Sequence, residues 1–111
     1  MAFKPTNPEE GTITKQMTVS LVEYNIHKLE YIIDPNKRQN TKIKIKWSNG
    51  YYDRQGVYIP LKMKEMTFAG QEVLVYLGSD FEGENLYMRT QNAAWKFLQD
   101  KGFIPKEGSV E

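Results

Sequence analysis

From Ile13 onward the apolar side chains recur at every second position, and the phase of that recurrence changes twice. Ile13, Met17, Val19 and Leu21 are odd-numbered, Val22, Tyr24 and Ile26 even, and Leu29, Tyr31 and Ile33 odd again. A period of two marks an extended strand with one face on a core, and each change of phase implies a bulge or a break. Valine, isoleucine, tyrosine and threonine suit that pleated, half-buried surface. The polar run DPNKRQN, residues 34–40, reads as a turn, because Pro35 fixes one dihedral and the asparagines tolerate unusual ones.

Alternation resumes at Thr41. Ile43, Ile45 and Trp47 share one face of a strand, and Lys42, Lys44 and Lys46 share the other. Asn49-Gly50 is a strong hairpin signal, since both residues accept the positive φ of a type I′ turn. That turn would set Trp47 opposite Tyr52 and Lys46 opposite Asp53. A rival turn, Asp53 to Gly56, would slide the pairing, and the sequence alone leaves both open. Pro60 suggests a sheet edge or a strand break, after which Leu61 and Met63 alternate with Lys62 and Lys64. Gln71 to Gly78 is apolar on both faces, as in a strand covered on each side.

The period then changes. Leu86, Thr90, Ala93, Ala94, Phe97 and Leu98 form one helical stripe, with Trp95 at its border. The helix starts between Glu84 and Thr90 and stops at Gly102, a left-handed C′ residue followed by apolar Phe103 and by Pro105. Lys101 in the last turn complements the helix dipole. About six strands and one helix predict an α+β fold: a mainly antiparallel sheet, as a sandwich or partly open barrel, with the C-terminal helix packed on it. Residues 1–11, whose one large apolar side chain is Phe3, are expected to be a flexible or docked arm, and the tail 105–111 likewise, around a single domain at 12–104.

A chain of 111 residues can bury one core without cross-links. The absence of cysteine excludes disulfides, thiolate catalysis, iron–sulfur clusters and the usual structural zinc sites. The opening MAFKPTNPEEG lacks the apolar stretch of a secretory signal, and no run approaches the roughly 18 apolar residues of a membrane helix. The expected setting is cytoplasmic, without membrane insertion.

Little in the sequence points to chemistry. His27 is the single histidine, so a transition-metal site would need an unusual carboxylate-rich set, and a strand residue with one satisfied nitrogen is the plainer reading. Asp80, Glu82 and Glu84 alternate in an acidic loop without the spacing of a calcium hand. No serine has a nucleophile-elbow context, and no glycine cluster forms a phosphate cradle. No catalytic residue, cofactor or metal is expected, and the enzyme reading ranks third.

Charge is unevenly spread. Fifteen basic and fourteen acidic side chains nearly cancel, but residues 41–68 carry six basic against two acidic, and residues 69–111 four basic against seven. If Lys42, Lys44, Lys46, Lys62 and Lys64 share an outer face near Arg54, Lys37 and Arg38, they make a basic patch. Tyr51, Tyr52 and Tyr58 beside it could stack on bases or anchor a protein partner. The plainer account is that lysines keep one sheet face wet and protect its edge from aggregation. The leading reading is a non-enzymatic protein-binding or structural module using nine residues, Lys42, Lys44, Lys46, Tyr51, Tyr52, Arg54, Tyr58, Lys62 and Lys64; the alternative is a small nucleic-acid-binding or regulatory protein using the 41–64 lysines.

In general character the segments MAFKPTNPEEG, KIKIKWSNGYY and NAAWKFLQDKGF together resemble small accessory proteins of tailed-bacteriophage tail modules. That resemblance implies a role in the virion, in tail assembly or in host adsorption, and it carries over no particular functional residue.

Overall fold

The computed structural model describes residues 2–14, 17–37, 40–69 and 86–111, with backbone alone for residues 69 and 86–89. The expected strand Gln71–Gly78, the acidic loop with Asp80, Glu82 and Glu84, and Arg38 lie outside the described residues.

Among the described residues the fold is α+β, with antiparallel strands and one helix near the C-terminus. Strands β1 (Ala2–Pro5), β2 (Glu9–Thr14), β3 (Met17–Leu21), β4 (Glu23–Ile32), β5 (Lys42–Tyr52) and β6 (Tyr58–Ala69) precede helix α1 (Leu86–Asp100), and β7 (Gly108–Val110) follows it. Five strands form one open sheet in the order β6-β5-β4-β1-β7, and β2 pairs with β3 as a separate hairpin. Among the described residues the sheet does not close into a barrel.

The hairpin between β5 and β6 turns at Asp53–Gly56, not at Asn49-Gly50. The Asp53 carboxylate accepts from the backbone N–H of Gln55 and of Val57, both at 2.9 Å, and Gly56 takes the left-handed φ of 79°. This turn places Tyr52 opposite Tyr58 and lets the whole of β6 pair with β5. Turning at Asn49-Gly50 would have paired β5 with residues 51–57 and left β6 beyond its end, without that partner. Gly50 instead sits inside β5, where a Cβ would run into the Ile59 carbonyl oxygen and the Tyr58 ring.

One face of the sheet is the core. Ile43, Ile45 and Trp47 of β5, Tyr24 of β4, Phe68 of β6 and Phe3 of β1 meet Ala94, Trp95, Phe97 and Leu98 of α1. The stripe expected for α1 is the buried one from Ala93 onward, and Trp95, at its border, is also core. The helix ends in a Schellman motif: Phe103 N–H donates to Leu98 C=O at 2.9 Å and Gly102 N–H to Gln99 C=O at 3.1 Å. Helix α1 ends at Asp100, so Lys101 lies just past it, its ammonium 5.9 Å from the Phe97 ring centroid. Phe103 is turned back onto Trp47 and Phe68, with ring centroids 5.7 and 5.9 Å away.

Of the two readings for the terminal segments, flexible or docked, the flexible one is corrected: residues 2–5 and 108–110 join the sheet. β1 pairs with β4 on one side and with β7 on the other, and Phe3 is 1% exposed between the Tyr24 and Trp95 rings. One apolar anchor in a short segment suffices here because strand pairing on both sides satisfies the backbone as well.

Candidate interaction surface

Paired residues of neighbouring strands share a face, so the register assigns every sequence-predicted site residue to a side of the sheet. Lys42, Lys44 and Lys46 alternate with the buried isoleucines and lie on the outer face, away from α1. Tyr52 and Tyr58 form a cross-strand pair on that face beside the turn, ring centroids 5.6 Å apart, and Arg54 is exposed in the turn. Lys64 pairs with Trp47, Lys62 with Asn49 and Tyr51 with Ile59, which puts these three on the inner face. The nine residues therefore do not form one patch. The lysines are divided by the sheet itself.

The outer face is also less basic than the lysine row suggests. Glu30 and Glu65 lie among the lysines, and ion pairs join Lys44 to Glu65 at 2.8 Å and Lys28 to Glu30 at 3.3 Å. The Lys44 contact holds the Glu65 carboxyl below its ordinary range, and Glu65 in turn raises the Lys44 ammonium. At the near edge Lys4 pairs with Glu111 at 2.8 Å, which raises the lysine and lowers the carboxyl.

Sequence reading missed a polar cluster on the same face. A register shift between Ile26 and Lys28 makes His27 a bulge residue, the irregularity implied by the phase change at that point. His27 Nε2 lies 2.6 Å from Ser48 Oγ, and Ser48 Oγ lies 2.9 Å from Tyr58 Oη. Tyr58 Oη donates to the Glu23 carbonyl at 3.1 Å. The buried Glu23 carboxylate accepts from Tyr52 Oη at 2.6 Å and from Asn25 Nδ2 at 2.8 Å. That bond raises the Tyr52 phenol above its usual range. The cluster's sequence signal was Ser48 and Asn25, polar residues in the middle of strands, where they need partners.

His27 and Ser48 stand at the distance of a base and a nucleophile, but Ser48 is 0% exposed and lies under the Tyr58 hydroxyl. In this arrangement the pair satisfies two strand side chains. Among the described residues, no three histidine, aspartate or glutamate side chains gather to hold a metal, and no helix is long and apolar enough to cross a membrane.

The chain matches no protein-family model, no curated protein and no solved structure.

Proposed function

We propose that this chain is a non-enzymatic protein-binding or structural module that docks a folded partner on its outer sheet face. The observation that carries this reading is the asymmetry of the sheet. Helix α1 covers the inner face, whereas no described element packs on the outer one. That outer face exposes Tyr52 (47%) and Met63 (48%) together with Ile32, among charges of both signs. Aromatic and methionine anchors inside a mixed polar rim are the composition of protein interfaces. The hydrogen bond to Glu23 holds Tyr52 in place, which lowers the entropy lost when a partner orders it. The resemblance to phage tail accessory proteins would set this docking in tail assembly or host adsorption.

The test places a photo-crosslinking amino acid at Lys46 on the outer face and, as a control, at Lys106, inside the cells that make the protein. A discrete protein adduct from Lys46, absent from Lys106 and lost on Met63→Glu, is the expected result. Equal adducts from both positions, or none from Lys46, would overturn it. DNA and RNA titrations at low and moderate salt add a second arm: tight binding that weakens steeply with salt would replace this reading with the nucleic-acid one.

A further inference from the structure

We infer that the inner face carries a small-molecule site for a hydroxylated ring bearing one carboxylate, a uronic acid being the simplest instance. A cleft of about 520 Å³ opens between the start of β2, the sheet and the turn after α1. That volume lies in the range of ligand pockets. Tyr24, Trp47 and Asn49 line it from the sheet, Phe103 from the turn, and Glu9 and Lys64 from its sides.

Asn49 supplies the reason to expect an occupant. The residue is 3% exposed, and its Nδ2 donates to Glu9 Oε1 at 3.0 Å. A carboxylate accepts only, so this bond fixes which way the amide points. Asn49 Oδ1 is then left as a buried acceptor without a partner. Such an atom is destabilising until a donor reaches it. An O–H from a ligand in the cleft would serve. Burial pushes the Tyr24 phenol up to about 12, with Glu9 adding to the rise, so Tyr24 stays neutral beside it.

Charge at the mouth specifies the rest. Glu9 also engages Lys62 at 3.3 Å, and the pair is spent within the protein. Among the described residues Lys64 makes no ion pair, and its ammonium lies 6.0 Å from the Phe103 ring centroid. One ammonium beside an aromatic wall suits one carboxylate on a ring whose C–H face rests on Phe103. A neutral sugar leaves Lys64 unused, and acetate, which has no O–H, offers Asn49 Oδ1 no donor. This site is separate from the outer face and stands whether or not that face binds a protein.

The experiment titrates sodium glucuronate into the ¹⁵N-labelled full chain, with glucose and sodium acetate as parallel arms at matched ionic strength. Expected are saturable shifts of the Trp47 indole and the Phe103 and Lys64 amides with glucuronate. Lys64→Gln, on an exposed position that leaves the core intact, weakens that binding about tenfold, the size of one charge-assisted contact. A glucuronate oligomer that binds more tightly than the monomer points to an acidic polysaccharide as the source, and equal affinity to the free acid. Glucose binding as well as glucuronate, acetate giving the same shifts, or no saturable shift from glucuronate would overturn the proposal.

Discussion

Replacing Phe3 by alanine tests the placement of the N-terminal residues most directly. The ring is 1% exposed and lies 5.9 Å, centroid to centroid, from both Tyr24 and Trp95. Truncating a buried phenylalanine typically costs about 3–5 kcal/mol, and losing contact with two aromatic rings argues for the middle of that range or above. With a urea dependence of about 2 kcal/mol per molar for a chain of this size, Phe3→Ala lowers the unfolding midpoint by about 2 M. The assay is equilibrium urea unfolding followed by tryptophan fluorescence, which reports on Trp47 and Trp95, both buried. Lys4→Ala is the control: Lys4 and Glu111 are half exposed, and the midpoint should hardly move. A loss below about 1 kcal/mol for Phe3→Ala would refute the packing of β1 in the core, since a truncation in a mobile arm costs little.

Gly50→Ala should cost about 1–3 kcal/mol, because the added methyl meets backbone, whereas Gly56→Ala, with open space but a left-handed φ, should cost about 1 kcal/mol; urea unfolding ranks them, and equal costs would contradict the close approach at Gly50. Tyr24 binds its proton more tightly in the folded state than in the unfolded one, so its contribution is complete below pH 10 and disappears as pH rises towards 12. The melting temperature should therefore fall across that window, and Tyr24→Phe should flatten the fall. Ser48→Ala removes the hydroxyl that links His27 to Tyr58, and a loss of about 1–2 kcal/mol is expected because Tyr58 keeps its bond to Glu23. A loss no larger than that of an exposed serine, read in the same urea assay, would count against the network.

Much of the fold could be read from periodicity, and the exceptions have local causes. The helix and its stop at Gly102 were clear because stripe, left-handed residue and trailing Phe103 agree. The bulge at His27 and the break between β3 and β4 were visible as phase changes at Ile26 and at Leu21. The choice of turn was not, because Asn-Gly is the stronger signal within its own four residues and loses only when the pairing of all of β6 is counted. The strand role of residues 2–5 was hidden by distance in sequence: their partners are Tyr24 and Asn25 on one side and residues 108–110 on the other.

The division of the lysines has a single origin. The ladder pairs Asn49 with Lys62 and Gly50 with Pro60, so Leu61 is an extra residue on β6. Without it, the same turn would pair Ser48 with Lys62 and Lys46 with Lys64. All five lysines would then share the outer face, as alternation along each strand suggests. A one-residue slip moves every later side chain to the opposite side. The unbulged ladder would also turn Glu65 and Thr67 inward and expel Met66 and Phe68. Phe68 is buried with its ring 4.4 Å from that of Phe97, so the core selects the bulge. The sequence does carry this signal, in the switch from odd Leu61 and Met63 to even Met66 and Phe68. The demand for Phe68 in the core thus sends Lys64 to the mouth of the inner cleft and Met63 to the outer face. Both proposed surfaces depend on that one residue.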